Sequence, residues 1–303
     1  MIMNKNIETF IGCDNEYEDS KIVIFGAPFD STTSFRPGTR FASKAMRSES
    51  FGIETYSPYQ DKDLEDISIF DGGDLELSFG GPEKALKQIE EFTEDVANDN
   101  KIPCMIGGEH LVTLGAFRAI AKKYPDVHVI HFDAHADLRE DYLGEKLSHA
   151  SVIHRVWDII GDNKIFQFGI RSGDRSEFYW GRDHVFTNKF DFTGLEEVVE
   201  KLKGKPVYFT IDLDVLDPSV FPGTGTPEAG GVTFKELLEA ILKVSKLNIV
   251  GMDVNELSPI YDQSGSSTAT ACKVLRELLL AVYWKYIIKN LFLSLGLGAS
   301  FFL

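Results

Sequence analysis

Eight short apolar, β-branched runs recur along the chain, at residues 22–25, 67–70, 103–106, 127–132, 165–170, 185–186, 207–211 and 249–254. Runs of this length that are apolar throughout read as strands buried on both faces of a sheet. Between most of them lie apolar residues at helical spacing, such as Ala85, Leu86, Ile89, Phe92 and Val96, or Leu237, Leu238, Ile241 and Leu242. Alternation of strand and helix predicts an α/β fold, a mostly parallel eight-stranded sheet flanked by helices, with ligands bound beyond the carboxyl ends of the strands. Two helix starts carry expected capping boxes, Thr193 with Glu196 and Thr233 with Glu236, in which hydroxyl and carboxylate satisfy backbone donors reciprocally.

No internal repeat or low-complexity linker divides the 303 residues, so the reading is a single domain over 1–289 followed by an apolar tail at 290–303. The apolar stretch leading into that tail contains Lys285 and Lys289. Each would cost about 2.5–3.5 kcal/mol near a bilayer centre, so the segment reads as a helix that docks on protein, and a membrane partner is not expected. With 31 basic and 47 acidic residues the formal charge is −16, which repels phosphate backbones and argues against nucleic acid as a partner. Cys13, Cys104 and Cys272 are too few and too scattered for a disulfide framework, and the first residues lack an export pattern; together they predict a cytoplasmic protein.

The chemistry concentrates at three strand ends. In His131-Phe132-Asp133-Ala134-His135-Ala136-Asp137, the residues Asp133, His135 and Asp137 share one face of extended chain. Asp212 and Asp214 repeat the spacing after the run at 207–211, and Gly107-Gly108-Glu109-His110 follows the run at 103–106, its glycines expected to turn the chain and present His110. Four carboxylates at converging strand ends repel one another strongly unless a cation neutralises them. Carboxylates and imidazoles without thiolate are hard to intermediate donors; they suit a pair of manganese ions better than structural zinc, while affinity order leaves other metals open. His128, His131, His154 and His184 read as packed histidines, and the glycine pairs at 71–74 and 79–82 as turns without phosphate-binding spacing.

These motifs, with Asp212-Leu213-Asp214-Val215-Leu216-Asp217-Pro218 and the segment 251–259, resemble the ureohydrolase signatures shared by arginases and agmatinases, in order and over residues 16–282. The resemblance implies the arginase-like three-layer sandwich, two Mn²⁺ per chain, and a homo-oligomer, trimer or hexamer. It implies that His110, Asp133, Asp137 and Asp212 hold one ion, that Asp133, His135, Asp212 and Asp214 hold the other, and that a metal-bridging hydroxide attacks a guanidinium carbon. By the same resemblance Asp137 delivers a proton to the leaving nitrogen, His149 is the proton shuttle and Glu256 binds the guanidinium, whereas Asp253 fits as a structural acid.

The resemblance also bears on the substrate. Where arginases carry Asn, Thr and Ser side chains that grip an α-carboxylate and α-amine, the interval 138–148 here offers Glu140, Asp141 and Glu145 and no Asn or Thr. With the segment 34–41, this resembles the agmatinase form and implies hydrolysis of agmatine, a small cationic guanidino substrate, to putrescine and urea in polyamine biosynthesis. The alternatives are guanidinobutyrase, formiminoglutamase, aminopropylagmatine ureohydrolase or arginase activity, or a non-catalytic metal-binding relative. A carboxylate-bearing substrate would call on the loop's two cations, Arg139 and Lys146.

Overall fold

A computed structural model describes residues 8–294, with side chains placed through Lys285. All eight expected strands form: β1 (Ile22–Gly26), β2 (Ile69–Asp74), β3 (Ile102–Ile106), β4 (His128–Phe132), β5 (Ile165–Ile170), β6 (Phe186–Lys189), β7 (Pro206–Asp212) and β8 (Asn248–Asn255). They make one sheet, parallel throughout, in the order β2-β1-β3-β8-β7-β4-β5-β6. The last two strands enter between β3 and β4, so the four strands that lead into the chemical motifs are contiguous at the centre of the sheet.

Eight helices cover the sheet: α1 (Ala42–Ser50), α2 (Pro82–Asn98), α3 (Val112–Lys123), α4 (Val152–Ile160), α5 (Arg175–His184), α6 (Leu195–Lys201), α7 (Phe234–Val244) and α8 (Ser266–Ser294). Successive strand side chains alternate between two cores, which gives three layers. Ile24, Phe132 and Phe209 pack with Met46 of α1, Val198 of α6, Ile241 of α7 and Leu275 of α8. Phe25, Met105 and Val129 pack on the other face with Ile89 of α2, Phe117 of α3 and Val156 of α4. Burial on both faces is why the strands read as mostly apolar runs, broken by a few buried polar residues such as His131, Gln167 and Asp253.

Some local expectations do not survive. The Thr233–Glu236 box forms, with the Glu236 N–H donating to Thr233 Oγ1 at 3.3 Å and the Thr233 N–H to Glu236 Oε2 at 2.7 Å. The Thr193 box does not: the N-cap of α6 is Gly194 in a left-handed conformation (φ 84°), and the Thr193 N–H is taken by Asp191 Oδ1 at 2.9 Å. Asp71 to Asp74 end strand β2 instead of making a free turn, because Asp71 is pinned by the Arg47 guanidinium at 2.8 Å and by the Phe10 N–H at 2.8 Å. A hairpin pairing Tyr56–Ser57 with Lys62–Asp63 was not anticipated, two residues being too few for alternation to register. Helix α8 runs through residue 290 to Ser294, so the boundary placed there falls inside a helix; the rest of the expected tail, 295–303, lies outside the described residues. Among the described residues no helix is long and apolar enough to cross a membrane.

Candidate metal centre and active site

The carboxyl ends of β3, β4, β7 and β8 bring the motif residues together. His110 follows β3, and its Nδ1 lies 3.0 Å from Asp133 Oδ2, 3.1 Å from Asp137 Oδ2 and 3.4 Å from Asp212 Oδ2. His135 Nδ1 lies 3.0 Å from Asp214 Oδ2 and 3.5 Å from Asp133 Oδ1. Two compact groups of donor atoms result, His110, His131, Asp133 and Asp137 in one and Asp133, His135 and Asp214 in the other, with Asp133 common to both. Asp212 touches the first group through His110 and the second through the Asp214 N–H, which donates to its Oδ1 at 2.9 Å.

The motif glycines do a further job beyond the one expected. Neither Gly107 nor Gly108 adopts a positive φ. A Cβ on Gly107 would collide with Asn255 Oδ1, and one on Gly108 with the backbone of Phe29. The chain does bend at Gly108 and Glu109, as expected, but without a positive φ, so glycine is required because two other segments press against the chain here.

Glu256 lies at the same point. Its Oε1 accepts the His110 N–H at 2.7 Å and its own N–H donates to Gly108 O at 3.0 Å. Glu256 (φ 65°) and Asp137 (φ 53°) are both non-glycine residues in the left-handed region, a strained choice of the kind that clusters at functional sites. Asp253 is a structural acid: it accepts the Tyr208 hydroxyl at 2.6 Å and the Asn255 amide at 2.7 Å, and is fully buried.

Electrostatics reflect a crowd of buried acids. Burial, followed by the negative charge of Asp133, pushes the Asp137 carboxyl up to about 7. Burial and the neighbouring Asp214 raise Asp212 and Glu256 well above the usual range. For His110 and His135 burial works against the charged ring, but hydrogen bonds and charge from the aspartates outweigh it and raise both. His149 goes the other way, to about 4, through burial and then repulsion from His135.

His149 sits at the start of a short 3₁₀ turn (His149–Ser151) leading into α4, its ring edge-on to Tyr142 with centroids 6.0 Å apart. Its Nε2 is buried without a partner. That orphaned nitrogen and the donor set of carboxylates and imidazoles, which have no lysine or arginine counter-ion among the described residues, fit a site that receives cations.

His131, expected to be a packed histidine, does more than pack. Gln167 Nε2 donates to Ala136 O at 2.7 Å, which fixes the orientation of the amide, so the same nitrogen donates to His131 Nδ1 at 3.0 Å. The ring proton is therefore on Nε2, which donates to Asp133 Oδ2 at 2.7 Å. His131 thus orients a carboxylate instead of offering it a lone pair. The signal was present: the period-two face through Asp133, His135 and Asp137 extends back to 131.

With this geometry in view, the chain belongs to the arginase family, whose family model matches residues 20–281. It is a hydrolase acting on the C–N bond of a guanidino group. It is 49% identical over 278 residues to an agmatinase of Bacillus cereus, covering 90% of this chain and 96% of that one. It is 38% identical to the N(1)-aminopropylagmatine ureohydrolase of Thermococcus kodakarensis, over 86% of this chain and 90% of that one. A crystal structure from Clostridium difficile superposes with a TM-score of 0.87 at 56% identity, covering 89% of this chain and all of the other.

Proposed function

We propose that the chain is a dimanganese-dependent agmatinase that hydrolyses agmatine to putrescine and urea. The observation that carries the metal reading is the gathering of buried Asp133, Asp137, Asp212, Asp214 and Glu256 around imidazoles, with no lysine or arginine paired to their carboxylates among the described residues. His110, Asp133, Asp137 and Asp212 would hold one Mn²⁺, and Asp133, His135, Asp212 and Asp214 the other. When bound, such a pair supplies the Lewis acidity that makes water nucleophilic at neutral pH.

The chain's own residues do the remaining work. With Glu256 Oε1 occupied by the His110 N–H, Oε2 is the oxygen left to accept a guanidinium N–H and orient the planar group. Asp137 gives a proton to the departing amine nitrogen, and His149 carries protons between that carboxyl and solvent.

The substrate assignment rests on the relatives and on how the loop's cations are spent. Arg139 pairs with Asp174 and, at 3.6 Å, with Glu177, and its guanidinium lies 4.8 Å from the centroid of the Tyr142 ring. One of the two cations available to grip a carboxylate is thereby engaged, while Glu140, Asp141 and Glu145 favour the far ammonium of agmatine. A substrate carboxylate placed there meets like charge. Urea release from a panel of guanidino compounds with added manganese tests this: kcat/KM for agmatine should exceed that for arginine by at least ~100-fold, about 2.7 kcal/mol. Equal rates, or a preference for guanidinobutyrate or aminopropylagmatine, would overturn the substrate while sparing the class of reaction. The three buried free cysteines accord with a reducing, cytoplasmic setting, and light scattering would test assembly into a homo-oligomer.

A further inference from the structure

Glu109 has no part in the chemistry above, yet it is fully buried beside His110. Its carboxylate takes three hydrogen bonds from one distant loop: the Thr32 N–H at 2.8 Å, the Thr32 hydroxyl at 2.5 Å and the Thr33 hydroxyl at 3.1 Å. The Glu109 N–H returns a bond to Phe29 O at 2.8 Å, the backbone that Gly108 admits. The loop after β1 is thus fastened to the motif after β3.

The fastening continues to a third segment. The first N–H groups of a helical turn have no partner inside it and need an acceptor from elsewhere. For the turn that begins at His149, the first N–H donates to Thr32 Oγ1 at 3.0 Å, from a residue 117 positions away. Thr32 Oγ1 has one proton, which goes to Glu109, so the oxygen's lone pairs face His149. The order of donors is therefore fixed, and Glu109 orients the acceptor that holds the main chain of His149.

We propose that Glu109 and Thr32 are positioning residues for turnover: they fix the backbone at His149 and so the place of its imidazole. This rests on the reading of His149 as the proton carrier. In the wild-type protein, the His149 amide should exchange with solvent slowly although it opens a helical turn. Thr32→Val, which removes the hydroxyl with little change in shape, should speed that exchange at least ~10-fold and lower kcat about 10-fold. KM and manganese content should be unchanged. Thr32→Ser, which keeps the hydroxyl, should restore both readouts, as a purely packing role for the threonine methyl would not. In a His149→Asn background, Thr32→Val should lower kcat by less than about 2-fold, because the two act in series.

Fast exchange of the wild-type His149 amide overturns the proposal even if Thr32→Val does not fold. So do additive losses of kcat in the double variant, or an unchanged kcat in Thr32→Val while His149→Asn alone is slow. If His149→Asn itself turns over normally, the proton-carrier reading fails and the positioning role falls with it, a result distinct from failure of the Thr32 link alone.

Discussion

Two clusters of buried charge lie on the same sheet and were solved in opposite ways. On β2, Asp71 meets Arg47 through two nitrogens, Nε at 2.8 Å and Nη2 at 2.9 Å, and Nη1 of the same guanidinium reaches Asp74 at 2.5 Å. At the carboxyl ends of β3, β4, β7 and β8, more carboxylates are buried, and among the described residues their ionic partners are imidazoles. A chain that encodes its own counter-ion makes a structural pair. One that gathers acids without such a partner stores repulsion that bound protons or an added cation relieve, and the raised carboxyls of Asp137, Asp212 and Glu256 are the trace of that repulsion and of burial. The contrast separates scaffold from site more sharply than burial does, since Asp71 and Arg47 are as buried as the acids of the site.

The contrast can be broken by exchanging consequences. The largest effect is expected from Asp212→Ala, which removes the carboxylate that touches both donor groups and is proposed to hold both ions: kcat/KM should fall by more than ~1000-fold, about 4 kcal/mol, with loss of bound manganese. Elemental analysis beside a urea assay decides it; two retained metals with normal turnover would refute the assignment. At the other cluster, Arg47→Leu should leave Asp71 buried without its cation and cost about 3–5 kcal/mol in urea unfolding, with kcat per folded molecule unchanged. A fall in kcat at constant fold would show that the two clusters are not independent.

The smallest effect concerns pH and sharpens the comparison in the chelated protein. Groups raised in the folded state, Asp137 at about 7 with Asp212, Glu256, His110 and His135, hold protons that the unfolded chain releases. Their contribution is present at low pH and lost as pH rises through the folded values. His131 and His149 are lowered and act in the opposite sense, but their contribution is complete once pH exceeds the unfolded histidine value of about 6.5. Between pH 6.5 and 8 the metal-free protein should therefore lose stability, by at least about 1 kcal/mol, and saturating manganese should reduce the slope to the part contributed by groups outside the metal site such as Glu109, whose buried carboxyl is also raised, to about 7. Calorimetry at four pH values with and without metal would reveal a flat or rising metal-free profile if the acids were balanced within the chain after all.

What could be read from the sequence was local in origin. The eight strands show because burial on both faces leaves an apolar run, and Asp133, His135 and Asp137 show because extended chain repeats every two residues. The same rule carried one step further would have included His131. The Thr233 box could be read and formed, whereas the Thr193 box looked the same and failed when Asp191 took its amide and Gly194 bent the start of α6. The remaining features depend on which strands become neighbours. Inserting β7 and β8 between β3 and β4 sets Glu256 against the amide of His110 across 146 residues, and the loop after β1 joins Glu109 across 77 residues and His149 across 117. It also makes Gly107 and Gly108 sites of close approach where the chain bends toward His110. Periodicity records the side a residue faces but not the segment that will arrive there, so the sequence alone determined the strands and the charged ends, and only the tertiary structure decided what each end would touch.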